Sequence, residues 1–365
     1  MEKAKKLNIL IAPLNWGLGH ATRCMPIINA LLAKGHNIII ATDGHALALL
    51  KKEYPSLPNM QIVGYNISYG KGNLGFVMSM FWQLPKIFWK IFAEHRQLQQ
   101  IVEKHDIDVV IADNRYGFFS KKAYSIFMTH QIFVKMPAKM RFLEPTLLKL
   151  NKWFIGNFEE CWIPDFSDKQ KSLAGELAHL EPLNPEKYHF IGLLSRFKHE
   201  KKAVLKHDVL FVLSGPEPQR TFFEQKILKQ LENLDESISC LLVRGLTQTQ
   251  EEKQFSENVK IINFMTADAL NEAMLSAKVV VARSGYSTIM DLAVLGKKAI
   301  LVPTAQQTEQ EYLARYFEAK KIFYSVSAAD FDLKKALQSI DNYSGIKLEK
   351  NNLLEKRIED LVLSL

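Results

Sequence analysis

The stretch Asn8–Asp43, NILIAPLNWGLGHATRCMPIINALLAKGHNIIIATD, decides the fold. Its ends, Asn8–Leu14 and Asn37–Thr42, are short apolar runs without polar alternation, the pattern of strands covered on both faces. Between them Ala21–Lys34 carries its apolar residues at helical spacing. A strand, a helix and a strand of these lengths make a βαβ unit, whose strands lie parallel.

The same alternation continues outward. Gln61–Ile67, Asp108–Asp113, Ser125–Gln131 and Tyr188–Leu194 read as strands, with helices over His45–Lys52 and roughly Phe88–His105. The charged segment FKHEKKAVLKHD (Phe197–Asp208) reads as a solvated linker, after which the pattern restarts. Val209–Ser214, Ser239–Arg244, Val259–Phe264, Lys278–Arg283, Ala299–Thr304 and Ile322–Val326 are the strands of this second half. No fixed-period repeat is present, so the expectation is two doubly wound α/β domains that share architecture rather than sequence.

The chain's 365 residues are a prior for two domains, and 47% apolar with 24% charged residues excludes a disordered, collagenous or coiled-coil chain. Three scattered cysteines, Cys24, Cys161 and Cys240, support neither a disulfide framework nor a thiolate zinc site, so a reducing, cytoplasmic compartment is expected. The basic start MEKAKK leads into a strand-length run without a small-residue cleavage site, which argues against secretion. No apolar run reaches the roughly 18 residues of a membrane-spanning helix. Phe76–Phe92, FVMSMFWQLPKIFWKIF, comes nearest, but Lys86 and Lys90 interrupt it and Pro85 is expected to break it. The net charge is +8, yet the basic residues are dispersed and no recognition motif accompanies them, so nucleic acid is not an expected partner.

In open α/β sheets, ligands sit beyond the carboxyl ends of the strands. Four such loops carry polar or glycine-rich sequence. In Asn15–Arg23, Gly17 and Gly19 permit a tight turn, and His20 falls at a helix start that favours an anion. The alternative is a locally bonded first-turn histidine; a dinucleotide fingerprint, with Asp43 as its acid, is the rival, although Thr22 occupies its third glycine position. Ser284–Thr288, with Gly285, Tyr286 and Ser287, follows Arg283 and opens a helix containing Asp291. It is either a diphosphate cradle with Asp291 on a ribose, or an ordinary N-cap with an acid nearby. Pro303–Tyr312 offers amides and carboxylates, Gln310 and Glu311 among them, suited to sugar hydroxyls, or is a polar loop capped by Thr308. Ser214–Arg220, containing Gly215 and two prolines, reads as a stiff turn, with Arg220 as a surface cation.

Arg283–Tyr312, RSGYSTIMDLAVLGKKAILVPTAQQTEQEY, resembles the donor-binding signature of glycosyltransferase family 28, which includes the peptidoglycan N-acetylglucosaminyltransferase and diacylglycerol galactosyltransferases. GLGHATRCMPIINALLAKGH (Gly17–His36) is similar to the family's glycine-rich loop and first helix. The resemblance implies the α/β GT-B fold: two Rossmann-like doubly wound parallel-sheet domains facing a central cleft, here 1–196 on the acceptor side and 197–345 on the donor side, with 346–365 a helix packing back on the first. It further implies an inverting hexosyltransferase that takes a hexose or N-acetylhexosamine from a nucleotide-diphosphate sugar, with uridine diphosphate (UDP) as the expected carrier. A lipid-linked or glycan acceptor is implied, with neither a metal nor a bound cofactor.

Carried over by position, Ser284, Gly285, Tyr286, Ser287 and Thr288 match the phosphate-binding segment, and Asp291 stands where an acid, usually glutamate, holds the ribose. Gln310 matches the first of two sugar-binding glutamines, whereas Glu311 replaces the second. Phe264–Met265 fits the segment that reads the uracil edge, Arg196 an arginine near the donor, and Gly17, Gly19 and Gly215 the donor-side loops, although Ser214–Arg220 replaces the usual glycine-rich loop of the second domain.

The acceptor hydroxyl needs a base; His20 is the first candidate and Asp113 the second, with Arg115 and His130 as possible acceptor-side groups. Asp113–Arg115 reads equally as a tight turn, and His130 as a structural strand-end histidine. Phe76–Phe92 is either a membrane-interface segment or a buried cover of the sheet; the first would make the protein peripheral on the inner face of the cytoplasmic membrane, in keeping with a cell-envelope role. A nucleotide-sugar hydrolase of the same fold, in which His20 activates water, and a non-catalytic sugar-nucleotide-binding partner are the alternatives.

Overall fold

The structure is a computed structural model that describes residues 5–64, 73–199, 204–215, 217–246, 251–348 and 351–365, with the side chains of 73–84 left out of the description. The chain divides into two compact units, Met1–Leu194 with Lys350–Leu365, and Ser195–Glu349.

Unit 1 is built on a seven-stranded parallel sheet in the order β3-β2-β1-β4-β5-β6-β7. The strands are β1 (Asn8–Pro13), β2 (Asn37–Thr42), β3 (Asn59–Gln61), β4 (Val109–Asp113), β5 (Tyr124–Met128), β6 (Glu160–Ile163) and β7 (Tyr188–Phe190). The helices are α1 (Gly19–Ala33), α2 (Gly44–Glu53), α3 (Asn73–His105), α4 (Glu144–Ile155) and the single turn α5 (Glu176–His179). Ile9, Leu10, Ile11, Val109, Val110 and Ile111 are all fully buried, which is why these strands carry no polar alternation. The strand order reverses between β1 and β4, where Pro13 pairs with Asp113. At such a switch point the two outgoing loops diverge and leave a crevice.

Unit 2 repeats the plan in the order β10-β11-β9-β8-β12-β13-β14, parallel except for the β10–β11 pair. Its strands are β8 (His207–Val212), β9 (Cys240–Val243), β10 (Glu252–Ser256), β11 (Val259–Ile262), β12 (Ala277–Ala282), β13 (Lys298–Leu301) and β14 (Tyr324–Ser325). The helices are α6 (Gln219–Leu231), α7 (Ala267–Leu275), α8 (Tyr286–Leu295), α9 (Thr308–Ala319) and α10 (Leu333–Ser339). Phe211, Val281 and Ile300 from the central strands pack with Phe223 and Ile227 of α6 and with Phe331 in one core. The switch point lies between β8 and β12.

Several expected boundaries move. The first helix begins at Gly19, two residues early, so His20 lies inside its first turn. Pro85 sits within α3 instead of ending it; a proline removes one hydrogen bond and adds one clash, which a helix of 33 residues absorbs locally. The strand expected over Gln61–Ile67 is the short β3, and its residues beyond 64 lie outside the described ones. β6 is buried throughout, but only four residues long, and β10 is a mostly exposed edge strand, so neither carried a periodic signal. The linker expected over Phe197–Asp208 is described only at its two ends.

The last helix, α11 (Leu353–Ser364), completes unit 1. It buries Leu354, Ile358 and Leu361, and its Arg357 donates through Nε (3.1 Å) and Nη2 to Glu160 at the start of β6. Glu160 is 5% exposed and also accepts from the Tyr124 hydroxyl and the Trp162 indole, both at 2.7 Å. A nearly buried carboxylate needs such a cation. No described helix is long and apolar enough to cross a membrane. Replacing Arg357 with Met is expected to lower unfolding stability by about 1–3 kcal/mol, because Glu160 would keep its burial and lose its cation. Urea denaturation checks this, and an unchanged midpoint would mean that the apolar stripe alone holds α11.

Candidate functional site

Unit 1 gathers four polar side chains at its switch point. β4 ends on Asp113, fully buried, and α1 brings His20 and Arg23 to it from one helix face, since residues three apart are neighbours there. Arg23 grips the carboxylate with two donors, Nε to Oδ2 at 2.8 Å and Nη2 to Oδ1. His20 Nδ1 lies 3.1 Å from Asp113 Oδ2 and 2.9 Å from Arg23 Nη2. Arg23 Nη1 reaches His130 Nδ1 at 2.9 Å. Of the four, only His20 keeps appreciable exposure, 15% of its side chain.

Burial favours the neutral form of a carboxyl, but the charges of Arg23 and His20 and the bonds from both override it and hold Asp113 well below the usual carboxylate range. The His20 ring is lowered, first by burial and then by the charge of Arg23, against an upward pull from Asp113. An imidazole that is neutral at physiological pH, with Nδ1 turned inward and Nε2 at the opposite corner, is equipped to accept a proton. Cys24 Sγ lies 3.9 Å from the same carboxylate, and burial pushes its thiol up, which leaves it an inert core group.

Arg115 is not an open acceptor-side group. It is fully buried, and its guanidinium binds Asp43 (2.5 Å), Glu94 of α3, and the Pro13 and Val63 carbonyls at 3.1 and 3.2 Å. Asn15 donates to the other oxygen of Asp43 at 3.1 Å. Asp43 is therefore a structural anion that ties the loops after β1, β2 and β4 together, and not the ribose acid of a dinucleotide fold. The loop between these ties is open. Gly17 has φ +76°, and a Cβ there would meet nothing within 4 Å.

In unit 2 the loops after β12 and β13 are fastened to each other. Ser284, fully buried, donates to the Gln310 carbonyl at 2.8 Å; the Gln310 side chain accepts from the Thr304 amide at 2.8 Å and donates to Gln307 at 2.5 Å. Glu311 accepts from the Gln306 amide at 3.0 Å, and α9 starts behind Gln307 without a side-chain cap. Gln310 and Glu311 thus shape the loop that carries them. α8 starts at Tyr286 behind Gly285, again without a side-chain cap. Tyr286 is 2% exposed, so its ring belongs to the core, while Ser287 and Thr288 are half-buried in the first turn. Helix starts of this kind favour phosphate oxygens.

Asp291 is half-buried in α8 and accepts from the Ser195 hydroxyl at 2.5 Å, a bond that begins unit 2 one residue before Arg196. Burial raises its carboxyl to about 6, against the downward pull of Arg196. Arg196 also lies over the Phe197 ring at 4.9 Å. Met265 is half-buried in the loop between β11 and α7. Gly215 has φ +109°, a backbone region that suits glycine, whereas Pro216 lies outside the described residues. Arg220 is 8% exposed instead of free on the surface, bonded at 2.6 Å to both Glu217 and Glu224.

Two arginines escaped the sequence reading. Arg23, three residues after His20 on α1, was within reach of a helical-face argument. Arg283 is 2% exposed, donates to the carbonyls of Val302, Pro303 and Gln219, and lies over the Phe223 ring at 4.4 Å. Burial pushes it down to about 10. It joins the ends of β12 and β13 to the start of α6.

The sequence profile of the "Glycosyltransferase family 28 C-terminal domain" matches residues 209–360, and that of "Glycosyl transferase family 1" matches residues 7–131. The chain is a glycosyltransferase whose segment 209–360 is similar to family 28. It is similar to an "Uncharacterized glycosyltransferase" of Methanosarcina acetivorans, 22% identical over 86% of this chain and 81% of that one. It is likewise similar to the UDP-N-acetylglucosamine–N-acetylmuramyl-(pentapeptide) pyrophosphoryl-undecaprenol N-acetylglucosamine transferase of Finegoldia magna, 23% identical over 75% and 74%. Among solved structures, the spinosyn rhamnosyltransferase SpnG complexed with thymidine diphosphate superposes with a TM-score of 0.62 at 12% identity, covering 98% of this chain and 96% of that one. The fold of this glycosyltransferase is accordingly GT-B.

The described part of the aromatic segment is not a buried cover. Phe88, Trp89 and Phe92 of α3 are 48%, 71% and 67% exposed, and Trp153 beside α3's neighbour Phe154 is 64% exposed. Residues 76–84 of that segment lie outside the described side chains.

Asp291 supplies a pH signature. Its carboxyl ionises at higher pH folded than unfolded, so the folded protein binds the extra proton between about pH 4 and 6 and stability rises as pH falls through that window. Relative to Asp291→Asn, the wild type is expected to gain about 1–2 kcal/mol between pH 7 and pH 4. Paired urea titrations across this range check it; parallel curves would mean an ordinary surface carboxyl.

Proposed function

We propose that this glycosyltransferase transfers a hexose or N-acetylhexosamine, with inversion, from a UDP-linked donor to a hydroxyl of a lipid-linked or glycan acceptor. The observation that carries the reading is His20, a neutral and partly exposed imidazole whose Nδ1 lies within 3.1 Å of the ionised, buried Asp113. In the reaction the acceptor oxygen bonds to the anomeric carbon, the bond from that carbon to the diphosphate breaks with its electron pair passing to phosphate, and the acceptor proton goes to His20 Nε2. The first turn of α8 supplies donors to the departing diphosphate, a role in which oriented N–H and O–H groups can stand in for a cation. Asp291 and Arg196 suit the ribose end of the donor, and the Phe264–Met265 loop its base. Support for the donor class comes from the activity for which the Finegoldia relative is named and from the nucleotide diphosphate bound by SpnG.

A lipid-linked acceptor is favoured by the exposed aromatics on α3 and α4, among which Lys86 and Lys149 are also exposed. Aromatic rings between cationic stems suit the interface of an anionic bilayer, and the protein is then peripheral on the cytoplasmic face of the membrane in cell-envelope synthesis.

A thermal-shift panel of nucleotide diphosphates and nucleotide sugars identifies the donor, since a ligand of the native state raises Tm. UDP and one UDP-sugar are expected to stand out; a larger shift with thymidine or guanosine diphosphates would replace the carrier. With the donor in hand, His20→Ala is expected to lower turnover about 100-fold with donor affinity retained, and full turnover would remove His20 from the mechanism. Equal rates of donor loss with and without acceptor would instead make the protein a hydrolase. Trp89→Glu with Phe92→Glu is expected to abolish sedimentation with vesicles containing anionic lipid; unchanged sedimentation would assign those aromatics to another partner.

A further inference from the structure

The four side chains at the unit 1 switch point carry a proton conflict. A guanidinium donates and never accepts. His130 Nδ1, 2.9 Å from Arg23 Nη1, therefore bears no proton while that bond is made, and His130 carries its proton on Nε2. His20 Nδ1 has two neighbours of opposite demand. Arg23 Nη2 at 2.9 Å requires a bare nitrogen, whereas Asp113 Oδ2 at 3.1 Å requires an N–H. Only one of these bonds exists at a time, and each fixes what the far corner of the ring can do. With Nδ1 bare, Nε2 holds the proton and His20 is a donor; with Nδ1 protonated, Nε2 is bare and His20 is a base.

The bond to Asp113 is handicapped. Both carboxylate oxygens already accept from Arg23, and Cys24 Sγ stands 3.9 Å away. Much of the pull that an isolated aspartate would exert on the imidazole is met by the guanidinium, while Nη2 offers a charge-assisted donor to the same nitrogen.

We propose that Arg23 is a positioning residue that selects the tautomer of His20, holding Nδ1 as an acceptor in the unliganded protein, so that the base form is drawn out when a hydroxyl donates to Nε2. This rests on the transferase reading for its purpose but not for its geometry. A hydroxyl that donates to Nε2 binds only the tautomer with its proton on Nδ1, and such differential affinity is sufficient to shift the population. In that tautomer the Nδ1 N–H donates a hydrogen bond to Asp113 Oδ2 and keeps its proton. The acceptor proton then moves to Nε2, making an imidazolium flanked by Asp113 and Arg23, which later loses its proton to solvent. Before an acceptor arrives, His20 is a donor and a poor activator of water. Arg23 thereby sets a cost on forming the base tautomer, which a well-positioned donating hydroxyl offsets.

The test is long-range 1H–15N correlation on the full chain labelled at histidine, at pH 7.5 without ligand, with signals assigned through His20→Gln and His130→Gln. In the wild type both His20 and His130 are expected to show a pyridine-like Nδ1 and a protonated Nε2. In Arg23→Met the His20 pattern is expected to invert, and its titration midpoint to rise by about one pH unit or more, because Asp113 then acts on the ring unopposed. A wild-type His20 with its proton already on Nδ1 would overturn the proposal, as would an unchanged His20 tautomer in folded Arg23→Met; the wild-type measurement decides even if that variant does not fold. Neither measurement uses donor or acceptor. A failure here therefore leaves the transferase reading intact, and a fully active His20→Ala enzyme would defeat that reading while leaving the tautomer result standing.

Discussion

A carboxylate cannot be buried at the end of a strand without a cation or a proton, and the organisation of unit 1 follows from how Asp113 meets that requirement. β4 carries Asp113 to the point where the strand order reverses, and α1 meets it with Arg23. Placing Arg23 there also places His20, because both project from the same face of the first turns of α1. The ring nitrogen is thus oriented by a charge that the fold must neutralise in any case. A second buried cluster, Arg115 with Asp43 and Glu94, does the same for the loops around it and ties α3 to the strand ends. The two clusters differ in use: one ends on a partly exposed imidazole, whereas the other centres on the wholly buried Arg115–Glu94 pair.

Unit 2 meets a different constraint. Its loops after β12 and β13 are held rigid by side chains that bind backbone. Ser284, Gln310 and Arg283 each reach a neighbouring loop, so the first turn of α8 is held from both sides. The guanidinium of Arg283 rests on carbonyls and an aromatic face, and its positive charge adds to the field of the helix start. A nucleotide diphosphate has the charge that such a surface attracts.

The parallel sheets were legible because buried central strands read as unbroken apolar runs, whereas the two switch points depend on a strand order that the sequence did not show. Less legible were the short or exposed strands β6 and β10, and the path of α3 through Pro85, where helix length outweighs one broken hydrogen bond. Among site residues, Asp113 was visible as a polar group at a strand end and His20 as one at a helix start, but their contact joins elements 90 residues or more apart in a way that no local pattern encodes. Arg115 and Arg220 misled for a related reason. A charged residue in a loop or first turn reads as exposed unless its partner is known, and Glu94, Asp43 and Glu224 come from other turns or elements. Tyr286 shows the converse, since a motif can preserve a backbone amide while its ring serves the core.

The return of α11 to the first sheet has a consequence for biosynthesis. Unit 1 is assembled from both ends of the chain, whereas unit 2 is made of one uninterrupted segment. As the ribosome extends the polypeptide, unit 2 has all its strands before unit 1 has received its closing helix. Until then Glu160 faces the nascent state without Arg357, and unit 1 is the last to mature.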